Sequence, residues 1–245
     1  MPGQSESNSA ELRLDPGRQI DGYTDVVDYL RREMALGRLR EGDRLPSERR
    51  LSEMLGVARE TLRQALRVLE GSGQIVVHRG SRGGATVQDV PADRRLLLEA
   101  VVESTDKIME LVEFRMVVES AAASLAATRR SDEDLLAMES AQHTLSNSSE
   151  QNECRHSDTE FHLAIARACG NEEIYQAVEE ARFKMFDSID VLGFDFMRDA
   201  SLNAHERILE AIRAGESELA AAEMRAHLAV TRTEFGQVIL AQQEN

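Results

Sequence analysis

Proline divides this chain in two. All four prolines (Pro2, Pro16, Pro46 and Pro91) fall at or before residue 91, and the following 154 residues contain none. A proline inside a helix removes an amide donor and clashes with the preceding turn, so so long a proline-free stretch is free to form consecutive helices. Glycine follows the same division: 11 of 15 precede residue 91, leaving Gly170, Gly193, Gly215 and Gly236 to interrupt a stretch rich in Ala, Glu and Leu. That pattern predicts an all-helical C-terminal half. We read residues 1–18 as a flexible tail, 19–89 as one domain, 90–96 as a linker centred on Val90-Pro91-Ala92-Asp93, and 97–245 as a helical domain. Neither an internal repeat nor a heptad run is visible.

Charge divides at the same place. The net charge of −15 argues against a nucleic-acid partner only until it is located. Residues 1–90 hold 14 Arg and 14 Asp plus Glu, so the second part carries the whole excess, with 15 basic and 30 acidic residues. Within 31–82 there are 12 Arg against 7 acids. Screening confines phosphate attraction to about 10 Å, so this local surplus outweighs the total. The polar N-terminus lacks the apolar core of a signal peptide, and no run of about 18 apolar residues offers a membrane span. Cys154 and Cys169 are too few for a disulfide framework or a thiolate zinc finger, and they read as buried or partly buried thiols in a reducing cytoplasm.

In the first domain, Val26, Val27, Leu30 and Met34 recur at helical spacing and predict a helix over about 21–36, ended by Gly37. Ser47 after Pro46 suits the cap of a second helix with Leu51, Met54 and Leu55 inward. Past Gly56, Leu62, Leu66 and Leu69 mark a third helix over roughly 58–70. Two short strands, Gln74–Arg79 and Ala85–Gln88, then flank Gly80-Ser81-Arg82-Gly83-Gly84. Helix, helix, glycine-bearing turn, helix and hairpin is the order of a winged helix-turn-helix. The expected fold is therefore mainly α: an N-terminal winged helix-turn-helix followed by a C-terminal all-helical bundle.

A third helix entering a major groove turns its polar N-terminal residues to the base edges, here Arg59, Glu60, Thr61 and Arg63. Arginine suits guanine because its fork bonds O6 and N7 together. Arg49 and Arg50, at the start of the second helix, are placed to reach phosphate or a groove edge. His78, Arg79 and Arg82 lie beside the wing glycines, including Gly80, where bare backbone can approach the sugar-phosphate chain. The plainer reading of any one of these arginines is a solvated surface; the set on one wing and one helix points to DNA.

Residues 24–88 resemble the DNA-binding domain of the GntR family of bacterial transcription regulators. The segments GDRLPSERRLSEMLGVARETLRQALRVLEGSGQI and HRGSRGGATV carry the likeness. The resemblance implies operator contacts at Arg49, Arg59, Arg63, His78 and Gly80. One departure is Ala58, where the family usually has Ser or Thr; a hydroxyl able to cap the helix or meet a phosphate is absent.

The helical half shows three readable stripes. Asp158, His162, Ile165 and Cys169 share one, with Phe161 beside it; Leu202, His205, Leu209 and Ile212 form another; Ala220, Met224, His227, Thr231 and Phe235 a third. Asp158 and His162 stand one turn apart, as a two-ligand metal clamp requires. A histidine on an apolar face is also an ordinary hydrogen-bonded core residue. Spacing alone leaves both readings open. His143 and His156 have no such setting, and His156, on a side with Thr159 and Glu160, reads as exposed.

Residues 97–235 are similar to the helical effector domain, called FCD, of the FadR subfamily of GntR regulators. ELVEFRMVVESAAASLAA, SDTEFHLAIARACGN, NAHERILEAI and EMRAHL carry that likeness. It implies that Asp158, His162, His205 and His227 bind a divalent metal (Zn, Ni or Mn) and that Arg115 lines the same cavity and meets an effector's carboxylate. It also implies a homodimer on a palindromic double-stranded operator, controlled by a small organic acid, acting as a repressor that the acid releases. A rival from another class is a metal-dependent hydrolase or isomerase using the same Asp/His cluster and an activated water. Against it, no general base stands out beyond the ligands, although Glu113 and Glu119 lie near Arg115, and catalysis leaves the wing unexplained. A third reading keeps the regulator but makes the metal purely structural.

Overall fold

A computed structural model describes residues 20–78, 84–88, 94–185 and 194–243. The chain separates into two compact units, Met1–Pro91 and Ala92–Asn245. The segment read as a flexible tail lies outside the described residues. Helix begins again at Arg94, inside the 90–96 segment read as a linker.

The first unit contains α1 (Tyr23–Ala35), α2 (Glu48–Leu55), α3 (Arg59–Gly71), β1 (Ile75–His78) and β2 (Gly84–Val87). Asp25 starts α1 by accepting from the backbone N–H of Gly22 at 2.9 Å. Ser47 caps α2, its hydroxyl accepting from the Arg50 N–H at 3.4 Å; such a cap contributes about 1 kcal/mol. Gly56 closes α2 at φ +69°, a left-handed turn that a side chain would strain, and so sets the angle at which α3 leaves. Ala58 heads α3 without a side-chain cap. Val26, Leu30, Leu51, Leu62, Leu66, Leu69 and Ile75 meet in one core, which holds α3 by its apolar side. The antiparallel strands pair Ile75 with Val87 and His78 with Gly84, and Arg44 adds one bridge to Thr86.

The described residues of the second unit form helices joined by short turns: α4 (Arg94–Glu103), α5 (Thr105–Arg129), α6 (Asp132–Asn147), α7 (Gln151–Ala168), α8 (Glu172–Met185), α9 (Phe194–Ala214) and α10 (Ser217–Gln243). Ser131 and Asp134 form a reciprocal cap on α6, at 3.2 Å and 2.9 Å. Gly170, at φ +64°, stops α7. That helix is the axle of the bundle, packed by α5, α6, α8 and α9. Its residues from Cys154 to Thr159 are all buried.

This arrangement corrects the sequence reading of His156, which is only 6% exposed. A helical wheel assumes one wet face, and α7 has almost none. His143 is exposed, and Cys154 and Cys169 are buried.

Candidate functional site

On the first unit, the residues expected to face DNA form an exposed arginine surface. Arg49 (72% exposed) pairs with Glu53 at 3.0 Å, one turn along α2. Arg63 donates to Glu48 at 2.9 Å, and Arg59 (57% exposed) stands 3.8 Å from the same carboxylate. Glu60 lies 3.8 Å from both Arg63 and Arg67. Exposed pairs of this kind are worth at most about 1 kcal/mol, so phosphate or a base edge can replace the carboxylates cheaply. Arg50 and His78 are exposed, and Thr61 is half-buried. Arg79, Gly80 and Arg82 lie outside the described residues.

Inside the helical unit, the Asp and three His converge. One donor atom from each of Asp158, His162, His205 and His227 lies within 4.8 Å of all the others, and all four residues are buried. Helix α7 supplies Asp158 and His162, α9 supplies His205, and α10 supplies His227. Nε2 of His227 is 3.3 Å from Nε2 of His162. Nε2 of His205 is 3.4 Å from Oδ1 of Asp158. Phe161 stacks on the His205 ring at 3.9 Å between centroids and fixes its plane.

Four further side chains complete the cluster. Glu119, on α5, places Oε2 at 2.5 Å from Nδ1 of His162, and neither atom has another hydrogen-bond partner. Arg115, one turn earlier, donates to Oε1 of Glu119 at 2.6 Å and reaches Sδ of Met185 at 3.2 Å. Arg182, on α8, donates to Oδ2 of Asp158 and to the Thr159 hydroxyl, the latter at 2.8 Å. Ser201 donates to Oδ1 of Asp158 at 2.8 Å. The Glu119 and Ser201 positions had a sequence signal, since each stands four residues from a residue already singled out, Arg115 and His205. Arg182 had none. Glu113, the other acid near Arg115, is exposed.

The protonation states suit a set of metal ligands. Burial raises the Asp158 carboxyl, but the Arg182 guanidinium overcomes it and holds the group ionised, well below the usual carboxylate range. Burial likewise opposes ionisation of Glu119, and Arg115 and His162 reverse it. Burial pushes His162 and His205 down, and takes His227 to about 3 with help from His162. The imidazoles are thus neutral, the state that binds a metal.

Both ring nitrogens of buried His205 lack a hydrogen-bond partner. A core histidine is normally satisfied; one presenting a bare nitrogen to an ionised carboxylate and two neutral imidazoles suits coordination. The donor set of three nitrogens and one oxygen fits Zn, Ni or Mn.

Residues 22–87 match the family described as bacterial regulatory proteins, gntR family, and residues 110–230 match the FCD domain. The chain is 28% identical to an uncharacterized HTH-type transcriptional regulator, YcbG, of Bacillus subtilis, over 91% of this chain and 93% of that one. It is 30% identical to the Glc operon transcriptional activator of Escherichia coli over 67% of each chain. The solved structure of E. coli McbR/YncC superposes with a TM-score of 0.52 at 20% identity, covering 92% of this chain and all of that one, a likeness of fold.

Proposed function

This chain belongs to the GntR family of bacterial regulatory proteins, with an FCD domain as its helical half, and is a transcriptional regulator rather than an enzyme. From that premise we propose that it binds a palindromic operator as a homodimer, in the cytoplasm, and that a small organic acid held at a metal in the helical unit controls its affinity for DNA.

The observation that carries this reading is the meeting of Asp158, His162, His205 and His227 within 4.8 Å in the interior of a chain that also presents Arg49, Arg59 and Arg63 to solvent. Those four residues would hold the metal. Bound there, a divalent ion supplies a Lewis-acidic point to which a carboxylate can attach. Arg115 would meet the acid's anionic group from α5, using the guanidinium donors that Glu119 does not take.

On the DNA side, Arg59 and Arg63 read base edges from α3, helped by the positive end of that helix, while Arg49, Arg50 and the wing residues His78, Arg79, Gly80 and Arg82 hold the backbone. Glu60 and Thr61 complete the base-facing set. Two copies place their α3 helices about 34 Å apart, in successive major grooves.

Exposed apolar side chains on two packed helices of the helical unit support a second copy. Phe114 and Val117 on α5, with Leu219, Val230 and Leu240 on α10, are between 44% and 65% exposed. Helices α5 and α10 pack together. A surface of this kind fits a self-complementary contact.

We read the acid as releasing the protein from DNA, which makes it a repressor. The experiment is a band-shift with DNA from upstream of its own gene, using native protein and a His162→Ala/His205→Ala variant. Native protein should hold about one divalent ion per chain and lose DNA when the right acid is added. The variant should bind DNA, carry no ion and ignore the acid. Absence of DNA binding at low salt would overturn the regulator's proposed target, and acid release by the metal-free variant would overturn the metal's part in control.

A further inference from the structure

The guanidinium of Arg182 occupies the carboxylate that the metal needs. Arg182 is 5% exposed and donates to Oδ2 of Asp158 and to the Thr159 hydroxyl, while the Ser201 hydroxyl takes Oδ1. Asp158 is therefore engaged on both oxygens before any ion arrives. A divalent ion bound at the same carboxylate would face a buried guanidinium at short range, and two cations in so dry a place repel strongly.

Charge counting sharpens the point. The cluster sets the buried guanidiniums of Arg115 and Arg182 against the buried carboxylates of Glu119 and Asp158, one cation to each anion. The other buried charged residues among those described in this unit, Arg155 and Glu179, add one of each sign. A divalent ion leaves two positive charges without partners in the interior. A monocarboxylate cancels one of them; an acid with two anionic groups cancels both.

Resting on the metal-and-acid reading above, we propose that Arg182 is a resident cation that must give up Asp158 for a divalent metal to bind, and that the displaced guanidinium, with Arg115, then receives an acid carrying two anionic groups. Arg115 and Arg182 approach the site from opposite ends of one chain of contacts. Arg115 holds Glu119 at 2.6 Å, Glu119 touches His162 at 2.5 Å, His162 stands 4.0 Å from Oδ2 of Asp158, and Arg182 lies on that oxygen. Arg115 keeps its carboxylate partner when a metal binds, whereas Arg182 loses its own. Arg182 is thus the residue that metal loading makes available.

The test uses the full chain, stripped of metal, with Arg182→Met, which keeps an unbranched apolar stem but removes the guanidinium and its charge. Zn(II) affinity is measured alone, by competition with a chromophoric chelator. The loaded proteins are then titrated with succinate and with butyrate as dianionic and monoanionic probes. Arg182→Met should bind Zn(II) about tenfold or more tightly than native protein, and it should lose the preference for succinate that native protein shows.

Unchanged or weaker Zn(II) binding by a variant with native circular dichroism would overturn the exchange and leave Arg182 as an orienting partner of Asp158. Failure of every protein to bind Zn(II) would overturn the metal reading itself, and the exchange with it. Should Arg182→Met not fold, Arg182→Lys retains a cation of poorer fit. It is expected to bind Zn(II) more tightly than native protein, and native-like affinity there would contradict the exchange.

Discussion

Oε2 of Glu119 lies 2.5 Å from Nδ1 of His162, so the opposite nitrogen of that ring, Nε2, is left facing His227 at 3.3 Å and Asp158 at 4.0 Å. A carboxylate on one ring nitrogen keeps the proton there and presents the other nitrogen's lone pair to a metal. Glu119→Gln should therefore weaken metal binding by roughly 10- to 100-fold without abolishing it. A chelator competition on the purified variant reads this directly, and native affinity would show that Glu119 serves only Arg115.

Acid should destabilise the metal-free protein. The three buried imidazoles have folded values below the unfolded value of roughly 6.5, with His227 at about 3. As pH falls below about 6.5 the unfolded chain takes up protons that the native site refuses, so stability falls, by at most about 1.4 kcal/mol per ring for each pH unit. Asp158 and Glu119 act in the same direction lower down: their depressed values give stability above about 4 that disappears as pH drops through the folded values. Urea midpoints should thus decline steadily from pH 7 to pH 4. A flat profile would mean the histidines are protonated in the native protein.

Arg115 has two roles that its substitutions should separate. It is 2% exposed, and truncation leaves Glu119 with His162 as its remaining partner. Arg115→Ala should cost about 3 kcal/mol of stability, the scale of a broken buried pair. Arg115→Lys keeps the charge and should stay folded, bind metal and DNA, and respond weakly to the acid. Loss of operator binding in Arg115→Lys, with the melting temperature intact, would move Arg115 from effector contact to interdomain control.

Glu48 should restrain DNA binding. Its carboxylate holds Arg63 at 2.9 Å and stands 3.8 Å from Arg59, and both arginines must leave it to meet a base edge or a phosphate. Glu48→Gln is expected to raise affinity for unrelated DNA severalfold, with the increase largest at low salt. Equal affinities at 50 mM and 200 mM salt would place these arginines away from the phosphates.

How much of this was legible before folding depends on the range of the forces involved. The first domain is written locally: Ser47 caps α2, Gly56 turns the chain, and Leu62, Leu66 and Leu69 bury one side of α3, all within short stretches. Asp158 and His162 were likewise readable from a one-turn spacing. Their meeting with His205 and His227 was not, because it depends on how α9 and α10 pack on α7; family resemblance supplied it. Arg182 escaped notice because its partner lies 24 residues away on another helix. The burial of His156 has no local signature, because four helices enclose α7 and no wheel drawn on one helix reveals its neighbours.

We propose that DNA affinity is set from a metal and acid site in the helical unit. The most direct measurement is a fluorescence-anisotropy titration of DNA from upstream of the protein's own gene, using metal-loaded protein, with and without an acid found to bind it. Operator affinity should change tenfold or more when the acid is added, the size of a coupling of about 1.4 kcal/mol or above. Tight operator binding that stays the same at saturating acid would contradict it.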